Sequence, residues 1–220
     1  MTTRTVKAAF FDMDKTLVRV NTGELYVRWR FSRGESGVGD VARTAWWSLQ
    51  YTLGLVDAGA VSAYAARTLT GREEKSFADE CREWYSAMVR QHLTEHARRE
   101  VQRRKDEGMV PVVLTGSSPY AAGPLAEELG IEHVISSRLC VVNGRFTGEM
   151  EALCYGARKC ERADVWAAQH GVDVAASAFY TDSISDLPML ERVAEPRVIN
   201  PDPRLARIAR ARHWPIEIWR

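Results

Sequence analysis

The chain has 220 residues, of which 45% are hydrophobic and 27% are charged. This length allows one sizeable core with a small accessory domain, and the composition is ordinary for a globular protein. The formal net charge is +1, so the overall charge gives no support for a nucleic-acid partner or an acidic partner.

The sequence shows no segment typical of export or of membrane insertion. The first seven residues are polar and lead into a strand, and the apolar-looking stretch Trp46–Val56 is too short to span a bilayer. The four cysteines contain no C-x-x-C pair, which indicates free thiols in a reducing compartment. We therefore expect a cytoplasmic protein without a membrane span, acting as a monomer or a homodimer.

Short apolar runs predict the buried strands of a parallel sheet. In chain order they are Val6–Phe11, Val110–Leu114, His133–Ile135, Ala178–Tyr180 and Arg197–Ile199. Helical patterns lie between several of them, notably Tyr120–Leu129 and Glu161–His170, each followed by a glycine. This alternation predicts an α/β core with a doubly wound, Rossmann-like parallel sheet.

Two segments depart from the alternation. Residues 139–147 predict a small β-hairpin with Asn143-Gly144 at its turn. The segment from Thr22 to about Glu107 contains no convincing strand, and its helical patterns are Gly23–Ser32, Val41–Leu53, Ala58–Thr68, Glu73–His92 and Thr94–Lys105. We expect residues 21–107 to form a helical cap domain, inserted into a core domain of residues 1–20 and 108–220.

Two carboxylates, Asp12 and Asp14, follow the first predicted strand. Ligands bind at the carboxyl ends of the strands in open α/β sheets. Two nearby carboxylates repel each other, and a hard divalent cation with oxygen ligands relieves the repulsion; Mg²⁺ suits phosphate chemistry. An ordinary turn at the end of a strand is the alternative interpretation of the pair.

The segment Thr115-Gly116-Ser117-Ser118 follows the second predicted strand. Its small residues allow the backbone to approach an anion, the following helix offers N–H groups, and Thr115 adds a hydroxyl donor. In the alternative interpretation, Ser118 simply caps the helix that begins with Pro119.

Lys159 lies at the start of the helix predicted between the hairpin and the fourth strand. A lysine there can offset the charge of a phosphoryl group during its transfer. A solvated surface lysine is the alternative. After the fourth strand, Asp182 is placed to bind a metal, whereas Asp186 has three possible roles: metal binding through water, orientation of Lys159, or capping of a helix.

Together these segments resemble the four motifs of the haloacid dehalogenase superfamily, here DMDKT, LTGSS, GARK and TDSISD. Their spacing and the helical insert are similar to subfamily IB, the phosphoserine-phosphatase-like branch with a C1 cap. The resemblance spans almost the whole chain. It implies a Mg²⁺-dependent phosphatase that acts on a small phosphorylated metabolite.

The resemblance also implies a role for each matched residue. Asp12 is the nucleophile that becomes an aspartyl-phosphate, and Asp14 is the general acid and base. Mg²⁺ is held by Asp12, by the backbone carbonyl of Asp14 and by Asp182, with Asp186 as a further metal-site residue. Thr115 and Lys159 hold the phosphoryl oxygens as catalytic residues. The remaining substrate-binding and phosphate-binding candidates are Met13, Thr16, Gly116 and Ser117, together with Arg67. Arg67 in the cap is a candidate partner for a substrate carboxylate, and a plain surface arginine is the alternative.

Two positions depart from the phosphoserine phosphatase pattern. Asn21 stands where an acidic residue is usual, nine positions after the nucleophile, and Lys15 replaces a small residue. Glu24 is an acidic residue near Asn21. Histidinol phosphate and phosphoserine-like esters both remain candidate substrates. The apolar cap residues Trp46, Trp47, Leu49, Tyr51, Leu53 and Leu55 predict cap core, with a dimer face or an apolar substrate lining as alternatives.

Three functions other than hydrolysis are compatible with parts of the pattern. A response-regulator receiver is about half this length, lacks a large helical insert and has no general acid two residues past the phosphoacceptor. The complete set Asp12, Asp14, Thr115, Lys159 and Asp182 argues against a non-catalytic regulatory protein on the same fold. A phosphotransferase with an acceptor other than water would use the same residues. The basic run Arg98, Arg99, Arg103, Arg104 and Lys105 predicts a solvated helix face, because no aromatic residues interleave it.

Overall fold

The computed structural model describes residues 5–40, 42–44, 46 and 58–219. Within these ranges the predicted α/β core is confirmed. The sheet has six parallel strands in the order β3-β2-β1-β6-β7-β8. Their bounds are β1 Ala8–Phe11, β2 Val110–Leu114, β3 His133–Ile135, β6 Ala178–Thr181, β7 Glu195–Ile199 and β8 Ile216–Glu217. The sequence patterns did not indicate β8.

Strand β1 forms the centre of the core because its four residues are all buried and alternate between two apolar layers. Ala9 and Phe11 belong to one hydrophobic cluster, whereas Ala8 and Phe10 belong to the other. Helices cover both layers. On the Phe11 side are α4 (Glu95–Asp106) and α5 (Pro119–Glu128), and on the Phe10 side are α6 (Arg158–His170) and α8 (Pro203–Ala211). A short helix, α7 (Leu187–Leu190), precedes β7.

The segment between β1 and β2 contains helices, as predicted. They are α1 (Thr22–Ser32), α2 (Ala58–Thr68) and α3 (Glu74–Trp84), after which a π-helical turn covers Tyr85–Val89. Of the predicted helix Val41–Leu53, residues 42–44 and 46 are helical, and the rest lies outside the described residues. Trp46 is exposed, while the other apolar cap residues named above lie outside the described ranges.

The predicted hairpin consists of β4 (Arg138–Val142) and β5 (Arg145–Ala152). Asn143 and Gly144 both have positive φ, 50° and 73°, as a two-residue hairpin turn of the Asn-Gly type requires. The hairpin packs against α2 through β5. Gly148 of β5 has a φ of 89°, and a Cβ atom there would collide with the Thr70 hydroxyl just after α2, so a larger residue would be strained.

Helix α4 packs against the sheet through Ala97 and Val101, although the proposed cap boundary at residue 107 places it in the cap. That boundary stays a prediction. None of the helices in the described part of the chain is long and apolar enough to cross a membrane. All four cysteines are free thiols; three are buried and Cys140 is half-buried.

The sequence predicted that the basic run on α4 is a solvated helix face. The structure shows that this prediction is wrong for Arg104. Arg104 is only 2% exposed. Its guanidinium donates to the Tyr180 hydroxyl, to Glu107 and to Glu195, with an Nη2–Oε2 distance of 2.7 Å for Glu195. The Tyr180 ring stacks on Phe11 with 4.4 Å between ring centroids. Arg104 therefore points into the core, where it ties α4 to β6 and β7.

We expect Arg104→Ala to lower the free energy of unfolding by about 3 kcal/mol, because it leaves partly buried carboxylates without their cation. Urea denaturation followed by circular dichroism measures the change. The matched control is Arg99→Ala, an exposed arginine on the same helix, which we expect to stay within about 0.5 kcal/mol of the wild type. Equal stability of the two variants would contradict a structural role for Arg104.

Candidate active site

Three neighbouring strand ends bring the predicted site residues together. Phe11 of β1 pairs with Val113 of β2 on one side and with Tyr180 of β6 on the other. The loops after these strands therefore start side by side, and they carry Asp12, Thr115 and Asp182. The chain leaves β1 for β2 on one side and later returns to β6 on the other, which creates the crevice where open α/β sheets bind ligands.

Lys159 connects the carboxylates at the centre of the site. Its Nζ lies 3.0 Å from Oδ1 of Asp12 and 2.7 Å from Oδ2 of Asp186. The side chain is 3% exposed, so the alternative of a solvated surface lysine is wrong for this residue. Burial alone would lower its pKa, but the carboxylates of Asp12 and Asp186 together raise it, which keeps the ammonium group charged.

Asp186 orients Lys159. Its Oδ2 accepts hydrogen bonds from Lys159 and from the Thr181 hydroxyl, each 2.7 Å long. Asp186 stands at the start of α7, but its side chain makes no capping hydrogen bond, so the structure does not support the capping alternative. Its Oδ1 is buried without a hydrogen-bond partner among the described residues.

Asp14 is held at the junction between the core and α1. Its Oδ1 accepts a 2.7 Å hydrogen bond from the backbone N–H of Thr22, while Asn21 caps the same helix. Burial raises the pKa of Asp14, and the hydrogen bond from Thr22 opposes this shift. The protonated form is therefore more accessible at neutral pH than for an exposed aspartate.

The charge of Lys159 does not fully offset the burial of the site carboxylates, because the pKa values of Asp12 and Asp182 are still raised. Burial raises the pKa of Asp12 to about 7, and Asp186 and Asp14 act in the same direction while Lys159 opposes them. Burial, followed by the charge of Asp12, also raises the pKa of Asp182 well above its ordinary value. A hard divalent cation would reverse both shifts, so the donor chemistry fits Mg²⁺.

The metal would need ligands besides side chains. No group of three or more His, Cys, Asp or Glu side chains is arranged to hold a metal within residues 5–40, 42–44, 46 and 58–219. The expected ligand set, with the backbone carbonyl of Asp14 beside the carboxylates of Asp12 and Asp182, stays a prediction.

A cavity of about 210 Å³ opens above these groups. Asp12, Asp14, Thr115, Gly116, Ser117, Lys159 and Asp186 are among its lining residues. Thr115 accepts a hydrogen bond from the backbone N–H of Ser117, which shapes the small-residue loop. Ser118 caps α5 by accepting from Ala121, so the capping interpretation of Ser118 is correct beside the lining role of its neighbours.

Three predicted phosphate-binding residues do not line this cavity. Met13 is fully buried in the hydrophobic core, and Thr16 is fully buried with no partner for its hydroxyl among the described residues. Arg67 is exposed on α2 and lines neither of the two cavities at the site. The structure therefore brings together the residues at strand ends and leaves Arg67 outside.

Several site residues were not predicted. Thr181 fixes Asp186, Tyr155 and Ser185 line the cavity, and the N–H of Thr22 holds Asp14. Thr181 lies within the TDSISD segment at a strand end, so its position carried a signal. Tyr155 carried none, because its location depends on the path of the chain after the hairpin.

The family model of haloacid dehalogenase-like hydrolases matches residues 9–191. The chain belongs to this family. Its sequence is 26% identical over 216 residues to histidinol-phosphatase of Neisseria meningitidis serogroup C, covering 94% of this chain and 96% of that protein. It is also 28% identical over 218 residues to phosphoserine phosphatase SerB1 of Mycobacterium tuberculosis, covering 97% and 71% respectively.

A solved structure of a protein of unknown function from Bordetella pertussis Tohama I has the same fold. Its TM-score is 0.87 at 27% identity, and the alignment covers 97% of this chain and 99% of that one. The predicted resemblance to the phosphoserine-phosphatase-like haloacid dehalogenase hydrolases is confirmed, and the chain is a phosphatase of this family.

We expect Asp186→Asn to reduce phosphatase turnover about tenfold to 100-fold, the usual effect of removing the partner that orients a site residue. The amide keeps the shape of the side chain but loses the charge that holds Lys159. Initial rates of phosphate release from p-nitrophenyl phosphate measure the effect. The control Asp164→Asn removes an exposed carboxylate that pairs with Arg192, and its rate should match the wild type. Wild-type rates for Asp186→Asn would contradict the orienting role.

Proposed function

We propose that the protein hydrolyses phosphate monoesters through a phosphorylated Asp12 and depends on Mg²⁺. The observation that supports this proposal best is the position of Asp12 in the cavity, with Lys159 on one of its oxygens and Asp14 and Thr115 also in the cavity wall. A nucleophile, a proton donor and a cation for the phosphoryl oxygens are thereby present around one small space.

In the first step, a carboxylate oxygen of Asp12 attacks phosphorus while the bond from phosphorus to the leaving oxygen breaks. Asp14, in its protonated form, gives its proton to that oxygen, and the alcohol leaves. Burial of Asp14 favours the protonated form, and its hydrogen bond from Thr22 fixes the direction of the carboxyl group.

In the second step, Asp14 takes a proton from water, and the resulting hydroxide attacks the phosphorus of the aspartyl-phosphate. The bond between phosphorus and Asp12 breaks, which releases inorganic phosphate and restores both carboxyl groups. Lys159 and the Thr115 hydroxyl contact the phosphoryl oxygens in both steps, where the positive charge of Lys159 stabilises the extra negative charge.

Asp12, Asp182 and the backbone carbonyl of Asp14 would hold Mg²⁺. An ion held there would neutralise charge on the phosphate oxygens next to Asp12. Asp186 remains a metal-site candidate only through Oδ1, because Oδ2 already accepts from Lys159 and Thr181.

The relatives of the chain are named for different phosphate esters. One relative is named for histidinol phosphate and another for phosphoserine, and the two leaving groups differ in size and charge. We therefore test the chemistry with several esters: phosphoserine, histidinol phosphate, sugar phosphates, nucleotides, lysophospholipids and p-nitrophenyl phosphate.

We expect Asp12→Asn to abolish phosphate release from every ester, because the amide is a poor nucleophile, and Asp14→Asn to lower it about 10²-fold to 10⁴-fold. Rapid acid quench and borohydride reduction, followed by peptide mass spectrometry, should reveal homoserine at position 12 in the wild type. Thermal melts establish that both variants are folded. A phosphorylated residue other than Asp12, or full activity in Asp12→Asn, would overturn the proposed mechanism.

We expect EDTA to abolish phosphate release and Mg²⁺ to restore it. Mg²⁺ should also raise the melting temperature of the wild type, since an ion that binds only the folded state stabilises it. In Asp182→Asn both effects should weaken strongly. The control Asp79→Asn removes an exposed carboxylate that pairs with Lys75, and it should respond to Mg²⁺ like the wild type. Undiminished activity in EDTA would refute the dependence on a metal.

A further inference from the structure

A second and larger cavity, of about 580 Å³, adjoins the catalytic cavity. The two share wall residues on three parts of the chain: Gly23 of α1, Val61 and Ser62 of α2, and Gly116 and Ser117 after β2. A group attached to a phosphate beside Asp12 can therefore extend directly into the larger space.

The walls of the larger cavity are mainly apolar. The side chains that contribute most to this character are Tyr26, Val27, Leu69, Phe77, Trp84 and Met150. The Tyr26 ring meets those of Phe77 and Trp84 edge to face, with centroids 6.3 Å and 5.4 Å apart. The Tyr26 hydroxyl is already bonded to Glu80, so the tyrosine offers its ring more than its polar end.

The charged side chains in the same walls are engaged with other protein groups. Arg30 pairs with Glu35 at 3.5 Å. Asp40 accepts a 3.1 Å hydrogen bond from the Gly37 N–H and another from Tyr64. The Arg43 guanidinium lies 4.4 Å from the centre of the Tyr64 ring. A charged leaving group would have to compete with these partners, whereas an apolar one would not.

Three described positions where charged partners for an amino-acid leaving group were sought, residues 21, 24 and 67, add no charge to either cavity. Asn21 stands where an acidic residue would meet an amino group, and its side-chain oxygen is used to cap α1. Glu24 and Arg67 line neither cavity. A leaving group with ammonium and carboxylate charges would lose water and meet in the larger cavity only charged groups that already have partners, which is unfavourable.

We propose that the substrate class of this enzyme is phosphate monoesters with a large apolar leaving group, which occupies the 580 Å³ cavity while the phosphoryl group meets Asp12. The proposal rests on the proposed function and specifies its leaving group. The volume lies in the range of pockets that enclose an organic ligand of many atoms, and burial of apolar surface there supplies the binding free energy.

The test compares a series of alkyl phosphates from ethyl to octyl, used below their micellar concentrations, with phosphoserine and histidinol phosphate. Each methylene that enters the cavity can raise kcat/KM by up to about fourfold, the factor that corresponds to about 0.8 kcal/mol of burial. We expect octyl phosphate to exceed ethyl phosphate at least tenfold, and to exceed both polar esters.

Two neighbouring substitutions on α1 locate the effect. Val27 lines the larger cavity and not the catalytic one, so Val27→Trp fills part of the space for the leaving group. We expect it to lower kcat/KM for octyl phosphate at least tenfold and to leave that for ethyl phosphate within about twofold. The next residue, Arg28, is exposed and lines neither cavity, so Arg28→Trp should change neither value.

The outcomes separate this inference from the proposed function. Turnover of ethyl phosphate that needs Mg²⁺ and Asp12, without any gain from chain length, would overturn the apolar leaving group and leave the chemistry intact. A preference for phosphoserine or histidinol phosphate over octyl phosphate would overturn it as well. No turnover of any ester by folded, Mg²⁺-loaded protein would instead refute the proposed function.

Discussion

The arrangement of the site depends on the contacts of the buried Lys159 ammonium group with the carboxylates of Asp12 and Asp186. A lysine that is 3% exposed stays charged only because Asp12 and Asp186 lie within 3.0 Å of it. The same contacts offset the electrostatic repulsion between the carboxylates of Asp12 and Asp186. Thr181 then fixes Asp186, so that the end of β6, the start of α6 and the end of β1 hold one another in place. The charges needed for phosphoryl chemistry are thus ordered before any ligand binds, which is the condition for effective electrostatic stabilisation.

The sheet creates this arrangement through strand order. Because β1 lies between β2 and β6, the loops that carry Asp12, Thr115 and Asp182 begin next to each other although they are far apart in the chain. Packing behind the site holds that order: Phe11 stacks on Tyr180, whose hydroxyl accepts from the buried Arg104. At the C-terminal side, Asn200 donates to the carbonyl of Lys15, and Asp202 accepts from the N–H of Ile184. Both contacts fix loops of the site from outside it.

The helical segment between β1 and β2 provides walls of both cavities. Helix α1 contacts the catalytic loop through Thr22 and places Tyr26 and Val27 along the neighbouring cavity, so one helix serves both spaces. The hairpin contributes Leu139 and Met150 to the same walls and packs against α2. In the proposed function, the side chains that would meet the leaving group therefore differ from those that would carry out the reaction.

The class of the fold, the hairpin with its Asn-Gly turn, and the position of Asp12, Asp14, Thr115 and Lys159 at one cavity could be predicted from the sequence alone. These features follow from local signals: short continuous apolar runs, residues typical of helix ends and turns, and carboxylates placed where buried strands end. Three other features are visible only in the tertiary structure. Arg104 points into the core, and Asp186 bonds to Lys159 without capping a helix. Arg67 lies outside both cavities. Each of these features depends on contacts between segments that are far apart in the chain. The local sequence pattern around a residue does not indicate which distant residue its side chain contacts. The apolar cavity beside the site has the same origin, because its walls come from α1, α2, α3 and the hairpin together.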